Sequence, residues 1–385
     1  MLKMNFNGDR LRIAKIYRNM TISDLDEKIS VTKQAISQYE KGIIAPKSEV
    51  LFQLVSVLRF PLDFFTEIDN GTTKVENTFF RSLAGVKKLD LNTEVIKTEI
   101  IVRLYNFLNI YLKFPKLELP TIDYKNVIDI EEVTLMLRGF WGLNNDPIVN
   151  IVDLLEKNGI IVSSLATDTT EIDAFTQIHK INGHHQFCVV LGNDKQSMVR
   201  RNFDAAHELG HIILHSKLSN IKDLSNAEFK QLEVEANLFA ASFLLPKNAF
   251  FADLVNPTNL EAYLQLKKKW KVSVSTMVIR AKQLGRVSSL QYKNLMKLIS
   301  YKKWGKVEPY DDVWKIQRPQ LFRKAIKMLK ENNVLTGQQL MIELSKYKFT
   351  INVEEVEVLL DLDPGTLVEK RSEKDKELIL SIKRN

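Results

Sequence analysis

Apolar residues recur at helical spacing through residues 8–66: Leu11, Ile13, Ala14 and Ile16, then Leu25 and Ile29, then Ala35, Ile36 and Tyr39, then Val50, Leu51, Leu54 and Leu58. This predicts short helices in close succession, with stops at Lys41-Gly42 and Phe60-Pro61. Asp69-Asn70-Gly71-Thr72-Thr73 is polar and contains glycine, as a linker does. Helical spacing then resumes over residues 75–145, interrupted at Phe114-Pro115 and Leu119-Pro120. Residues 148–157 read as one more helix, closed by Asn158-Gly159.

The period then changes. Ile160-Ile161-Val162 is a short β-branched run, and residues 175–181 and 185–191 are strand-like runs joined at Asn182-Gly183, a tight-turn signal. Helical spacing returns near Asn202-Phe203, with Asn202 the expected N-cap. A second long helix covers residues 227–245 and stops at Pro246. Beyond Trp270 the chain reads helical at 275–284, 290–301 and 319–332, with Pro319 suited to a first turn, then in small pieces at 335–339 and 349–360. The charge-rich stretch 370–385 reads as a solvated helix or tail. The fold class expected is mainly α with a small β-sheet (α+β). It divides into an all-α segment at 1–68, a helical connector at 69–130, a mixed segment at 131–288 and an α-helical C-terminal region at 289–385.

The 385 residues suit several domains, and 45% hydrophobic with 26% charged residues is a globular composition. A net charge of +8 is compatible with nucleic-acid contact, although both signs are interspersed along the chain. A single cysteine, Cys188, excludes an intrachain disulfide, fits a reducing compartment and sits in an apolar run suited to burial. The first residues lack the apolar region of a signal peptide, and no stretch approaches the ~20 apolar residues of a membrane span. A cytoplasmic protein with no membrane partner is expected.

The chemistry concentrates in His207-Glu208-Leu209-Gly210-His211. Residues four apart share a helix face, so both imidazoles can aim at one point. Zinc favours such nitrogens, and a catalytic site takes three protein ligands with one position left for water. Glu208 is placed to act on that water as general base. The third ligand is expected from the next long helix, which offers Glu233 and Glu235 about 160° apart, so only one of them can face the ion. Glu233 is the better candidate, because Asn237 one turn on can hold a ligand imidazole from behind. Ala236, Ala240 and Ala241 permit close approach of the two helices.

His215 continues the same face, but the span from His207 to His215 is about 12 Å along a helix. It is therefore assigned to support or packing rather than to the ion. His179, His184 and His185 are expected as exposed residues near the hairpin, with a role for one of them at a developing oxyanion left open. The strand at 186–191 is a candidate edge for pairing an extended substrate.

Arg201-Asn202-Phe203-Asp204-Ala205-Ala206-His207-Glu208-Leu209-Gly210-His211-Ile212-Ile213-Leu214-His215, with the run from Glu233 to Pro246, resembles the ImmA/IrrE family of metallopeptidases. Asp146-Pro147-Ile148, the run from Leu154 to Val162, Trp270-Lys271-Val272-Ser273-Val274-Ser275 and Arg280-Ala281-Lys282-Gln283-Leu284-Gly285 extend the likeness over roughly residues 130–290. The resemblance implies a zincin-like fold, one Zn²⁺ per chain and cleavage of a specific regulatory protein of the repressor or antitoxin type.

Residues 8–66 resemble the XRE-type helix-turn-helix of lambda-like repressors, through Ile22-Ser23-Asp24-Leu25 and the run from Val31 to Gly42. Thr32 can cap the third helix, while Ala35, Ile36 and Tyr39 turn inward. Thr32, Lys33, Gln34, Ser37 and Gln38 are the expected contacts to double-stranded DNA, because the glutamine amides suit adenine and lysine suits guanine or phosphate. Asp26 stands where a small residue is common, and Ser30 replaces the usual turn glycine. Such modules often bind palindromic sites, so a homodimer is expected. Two other readings remain open at this stage: a non-catalytic regulator with a structural or sensory zinc site, and a helix-turn-helix that docks protein rather than DNA.

Overall fold

The computed structural model describes residues 6–68, 73–80, 87–122, 129–165, 173–181, 183–192, 197–218 and 224–368. In chain order the elements are α1 (Gly8–Tyr17), α2 (Ile22–Lys28), α3 (Lys33–Glu40), α4 (Ser48–Leu58), β1 (Thr73–Phe80), α5 (Lys88–Leu108), α6 (Ile130–Phe140) and α7 (Ile151–Lys157). Then come β2 (Ile161–Leu165), β3 (Ala174–Ile181), β4 (His184–Gly192), α8 (Met198–Gly210) and a π-helical turn, His211–His215. The chain continues with α9 (Asn226–Leu244), α10 (Lys247–Asp253), α11 (Leu260–Trp270), α12 (Val274–Gln283), α13 (Ser289–Tyr301), α14 (Leu321–Glu331), α15 (Gly337–Lys346) and α16 (Val353–Leu359). The α+β class stands, and among the described residues no helix is long and apolar enough to cross a membrane.

Local chemistry sets many boundaries. Thr21, Ser225, Ser288 and Thr336 each accept from the backbone N–H three residues on, and the side chain at that position returns the bond, forming capping boxes. Three boundaries differ from the sequence reading. The His helix starts at Met198 behind Ser197, because apolar Met198 and Val199 are buried and extend it; Asn202 lies inside the helix and donates to the Lys271 carbonyl at 3.2 Å. Pro319 precedes α14 instead of opening it. Residues 75–80, read as helical, and Thr73, read as the end of the linker, belong to a strand, because β3 offers a partner for their β-branched and aromatic residues. The linker at 69–72 and the tail at 370–385 lie outside the described residues.

The chain packs as two units. The first comprises Met1–Gly71, Lys88–Lys113 and Phe322–Asn385. Its helix-turn-helix core is made by Leu11, Ala14, Leu25, Ile36, Leu54 and Leu58, all fully buried. Lys15 closes an ion pair of 2.7 Å with Glu40 between α1 and α3. The C-terminal segment packs within this unit: the Glu67 carboxylate accepts from the Thr350 amide and hydroxyl, and Arg10 and Arg103 donate to the Lys348 carbonyl. Part of the region at 289–385 thus supports the helix-turn-helix, a grouping across about 300 residues that no local pattern announces.

The second unit comprises Thr72–Lys87 and Phe114–Leu321. Its mixed sheet has the order β1-β3-β4-β2, with β3 antiparallel to β1 and β4, and β2 parallel to β4. One core joins the sheet to the helices through Val162, Ile178, Val189, Leu191, Ala205, Leu209, Phe239, Phe243 and Met277. Each fully buried aliphatic or aromatic side chain there contributes about 1.5–3 kcal/mol of transfer free energy. Gly159 closes α7 at a φ of +80°, where a Cβ would sit 2.4 Å from the Lys116 carbonyl, so glycine is required twice over. Arg280 reaches from α12 to the Glu131 carboxylate on α6, which also accepts from Ser242 on α9. That triangle fixes the helices behind the His motif.

Candidate metal centre and nucleic-acid face

α8 carries His207, the π turn that continues it carries His211, and α9 crosses α8 closely. The approach depends on Gly210, whose absent Cβ would stand 3.2 Å from the Ala236 Cα. At this crossing His207 Nε2 and His211 Nε2 lie 3.1 Å apart. Glu233 Oε2 is 3.4 Å from the first, and Glu233 Oε1 is 3.2 Å from the second. A tetrahedral zinc ion with bonds of about 2.0–2.1 Å has ligand-to-ligand edges of about 3.3 Å. The imidazole pair spans about one such edge, and each imidazole has a different Glu233 oxygen at a similar distance; taking one ligand atom from each residue, the three lie within 4.8 Å of one another. Among the described residues this is the one group of His, Cys, Asp and Glu side chains close enough to share an ion.

The hydrogen bonds behind the cluster decide where its protons sit. His207 Nδ1 faces Asn237 Oδ1 at 3.1 Å, so that nitrogen donates and Nε2 keeps its lone pair. His215 Nε2 donates to Glu235 Oε2 at 3.0 Å, which leaves His215 Nδ1 as an acceptor; His211 Nδ1 donates to it at 3.0 Å. His211 Nε2 is then also a lone pair. Two lone pairs at 3.1 Å cannot hydrogen-bond each other, and the buried Glu233 Oε1 beside them receives no hydrogen bond. Three electron-rich groups around one point, each held from behind, fit a divalent cation. Burial works to raise the Glu233 carboxyl, but a proton on the facing His207 or His211 imidazole, donated to it, outweighs burial and brings it down to about 2, so the cluster favours a positive charge at that point. Burial, then the neighbouring His211, lowers His215 to about 4, which keeps it neutral and able to accept.

The helix widens into a π turn over residues 211–215, and His215 lies one turn beyond His211 on the same side. Glu235, set aside as a ligand on helix-face grounds, anchors His215 and is itself held by Gln231 at 2.8 Å. The sequence offered Glu235 only as the alternative ligand to Glu233, and its place behind His215 rests on a contact between two helices.

Glu208 is fully buried and accepts from the Thr176 hydroxyl of β3 at 2.7 Å. Thr176 was missed because its link to Glu208 spans two elements. Phe79 of β1 stacks on the His211 ring with centroids 5.2 Å apart and planes 21° apart. His184 and His185 are exposed, as expected. His179 is not: it is fully buried, its ring nitrogens have no hydrogen-bond partner, and burial pushes it down to about 4. Strand alternation also sets it on the face opposite Thr176, away from Glu208. The strand at 186–191 proves to be interior, paired on both sides by β3 and β2, so it offers no free edge.

In the first unit, Thr32 accepts from the Ala35 amide and caps α3, as the sequence indicated. Thr32, Lys33 and Gln34 are exposed at its N-terminus, whereas Ser37 and Gln38 are half-buried. α2 ends on extended Ile29, and no residue between α2 and α3 takes a positive φ, which explains why Ser30 stands in for glycine. Asp26 is half-buried, so a larger residue is accommodated there.

Residues 156–282 match the family described as the IrrE N-terminal-like domain of the M78 peptidases. Residues 12–65 match the helix-turn-helix family. No curated protein matches the chain. The chain therefore joins an XRE-type helix-turn-helix domain to an ImmA/IrrE-type domain of the M78 metallopeptidases.

Proposed function

We propose that this protein is a cytoplasmic DNA-binding regulator whose second domain is a zinc endopeptidase acting on a specific regulatory protein of the repressor or antitoxin type. The observation that carries the reading is the convergence of two imidazole lone pairs and one carboxylate on a single point. His207, His211 and Glu233 hold one Zn²⁺ per chain. Bound there, zinc supplies Lewis acidity to a water and to the scissile carbonyl. Asn237 and His215 fix the tautomers and orientations of the two histidines. Glu208, anchored through Oε2 to Thr176, takes the proton from the attacking water and passes it to the leaving amine. Thr32, Lys33, Gln34, Ser37 and Gln38 meet DNA, on a homodimer if the site is palindromic. The functional division proposed is 1–68 for DNA and 131–288 for proteolysis, with 69–130 connecting and 289–385 in support.

The test compares cellular protein N-termini between the wild type and Glu208→Gln, with and without DNA damage. A new terminus found only with the wild type identifies endopeptidase and substrate together. Matching profiles, with zinc still bound to both proteins, replace this reading with a non-catalytic regulator holding a structural or sensory zinc.

A further inference from the structure

The residues that match the peptidase family begin at 156, and β1 lies well before them, directly after the helix-turn-helix. Without β1, the sheet would end at β3, the strand whose Thr176 holds Glu208. A free β3 edge would present backbone donors and acceptors to any extended peptide, the usual way a sheet edge takes up a strand. In this structure β1 fills that edge, antiparallel, from Thr73↔Ile181 to Phe80↔Phe175, with one irregularity between Val75 and Asn77.

The register is specific. Phe79 lies directly opposite Thr176, so its side chain shares that face of the sheet and points to α8. There it is 1% exposed and stacked on the ring of His211. On the opposite face Gln177 donates to the Thr78 hydroxyl at 3.2 Å. β1 thus pairs beside the strand that holds Glu208 and sets an aromatic side chain on a histidine that the proposed chemistry uses. The chain leaves the first unit after Gly71, contributes β1 to the second and rejoins the first at Lys88, so the strand is tethered at both ends to the DNA-binding unit.

We propose that β1 is a built-in occupant of the substrate edge: it pairs with β3 where an extended substrate segment must pair, and its Phe79 fills the place of that segment's aromatic or bulky apolar side chain. This rests on the peptidase reading above and adds to it a closed resting state and a substrate class. The intramolecular strand competes at the millimolar effective concentration typical of a short tether, so weak, non-specific peptides are excluded. A substrate is admitted when β1 is displaced, and its apparent affinity falls in proportion to the fraction of molecules that are open.

The experiment uses the full-length, zinc-loaded chain carrying Glu208→Gln, so that binding is read without turnover. The probe is a fluorescein-labelled synthetic peptide of residues 72–82, followed by anisotropy. Phe79→Ala, which removes the anchor, is expected to bind the probe about tenfold or more tightly than its parent. Where Phe79→Ala fails to fold, the Thr78→Cys, Gln177→Cys pair carries the test: oxidised it excludes the probe, and dithiothreitol restores binding to at least the parent level. Equal probe binding by the parent, Phe79→Ala and the oxidised pair overturns the proposal. A probe that binds upon release of β1, together with cellular N-termini that match between the wild type and Glu208→Gln, upholds the occupant and refutes the peptidase reading instead.

Discussion

His215 touches no ion in the proposed site, yet its Nδ1 is the partner that sets the His211 tautomer. Replacing it by Phe keeps a ring of similar size beside Phe79, whose centroid is 6.4 Å away, and removes only the acceptor. His211 is 1% exposed, so water cannot readily take over the lost bond. Leaving a buried donor unsatisfied costs about 1–3 kcal/mol, a factor of roughly 5–150 in affinity at about 1.4 kcal/mol per tenfold. Losing a support behind a metal-bound His weakens binding by about 10–100-fold, and the two ranges agree. Zinc affinity measured by competition with a chromophoric chelator should therefore fall by one to two orders of magnitude in His215→Phe. His215→Gln, which keeps an acceptor, should recover much of the loss. Glu235→Ala should cost less, since Glu235 is half-exposed and water can replace it. A folded His215→Phe that binds zinc as tightly as the wild type would refute the tautomer argument.

Other predictions follow from individual contacts. Glu208→Gln should retain stoichiometric zinc by metal analysis and lose cleavage of the substrate its N-terminal profile identifies. Gly210→Ala should lower the melting temperature by a few degrees, because about 1–3 kcal/mol of crowding against the Ala236 backbone exceeds the roughly 1 kcal/mol gained in helix propensity. Burial acts to raise the Glu131 carboxyl, but Arg280, aided by Ser242, holds it below the usual range. Its stabilisation is thus complete above the unfolded carboxylate pKa and lost as the pH falls through the lower folded value. Glu131→Gln should narrow the gap between neutral and acidic stability in denaturant titrations. Lys33→Ala should weaken DNA binding across sequences and reduce the slope of log affinity against log salt by about one, if Lys33 meets phosphate.

Much of the candidate site was legible because it rests on helical periodicity, a local property. Four-residue spacing puts His207 and His211 on one face, and a difference of about 160° lets only one of Glu233 and Glu235 meet both, although Glu235 still reaches His215. The Thr32 cap and the hairpin of β3 with β4 are local as well, since each depends on side chains within a few residues. The start of α8 was misplaced because Asn202, a good cap by type, finds its partner at Lys271, far along the chain.

What only the tertiary structure decided depends on contacts across long separations. Residues 73–80 have no fixed preference strong enough to specify a strand, and pairing with β3 some 100 residues away settles it. The same pairing carries Phe79 onto His211, while the interior position of β4 removes the edge that the sequence order suggested. The relay from Glu235 through His215 to His211 needs the crossing of α9, which brings Glu235 to His215. Sequence spacing names the groups on a helix face, but only packing fixes which protons they carry, because a tautomer is set by the partner on the far side of the ring.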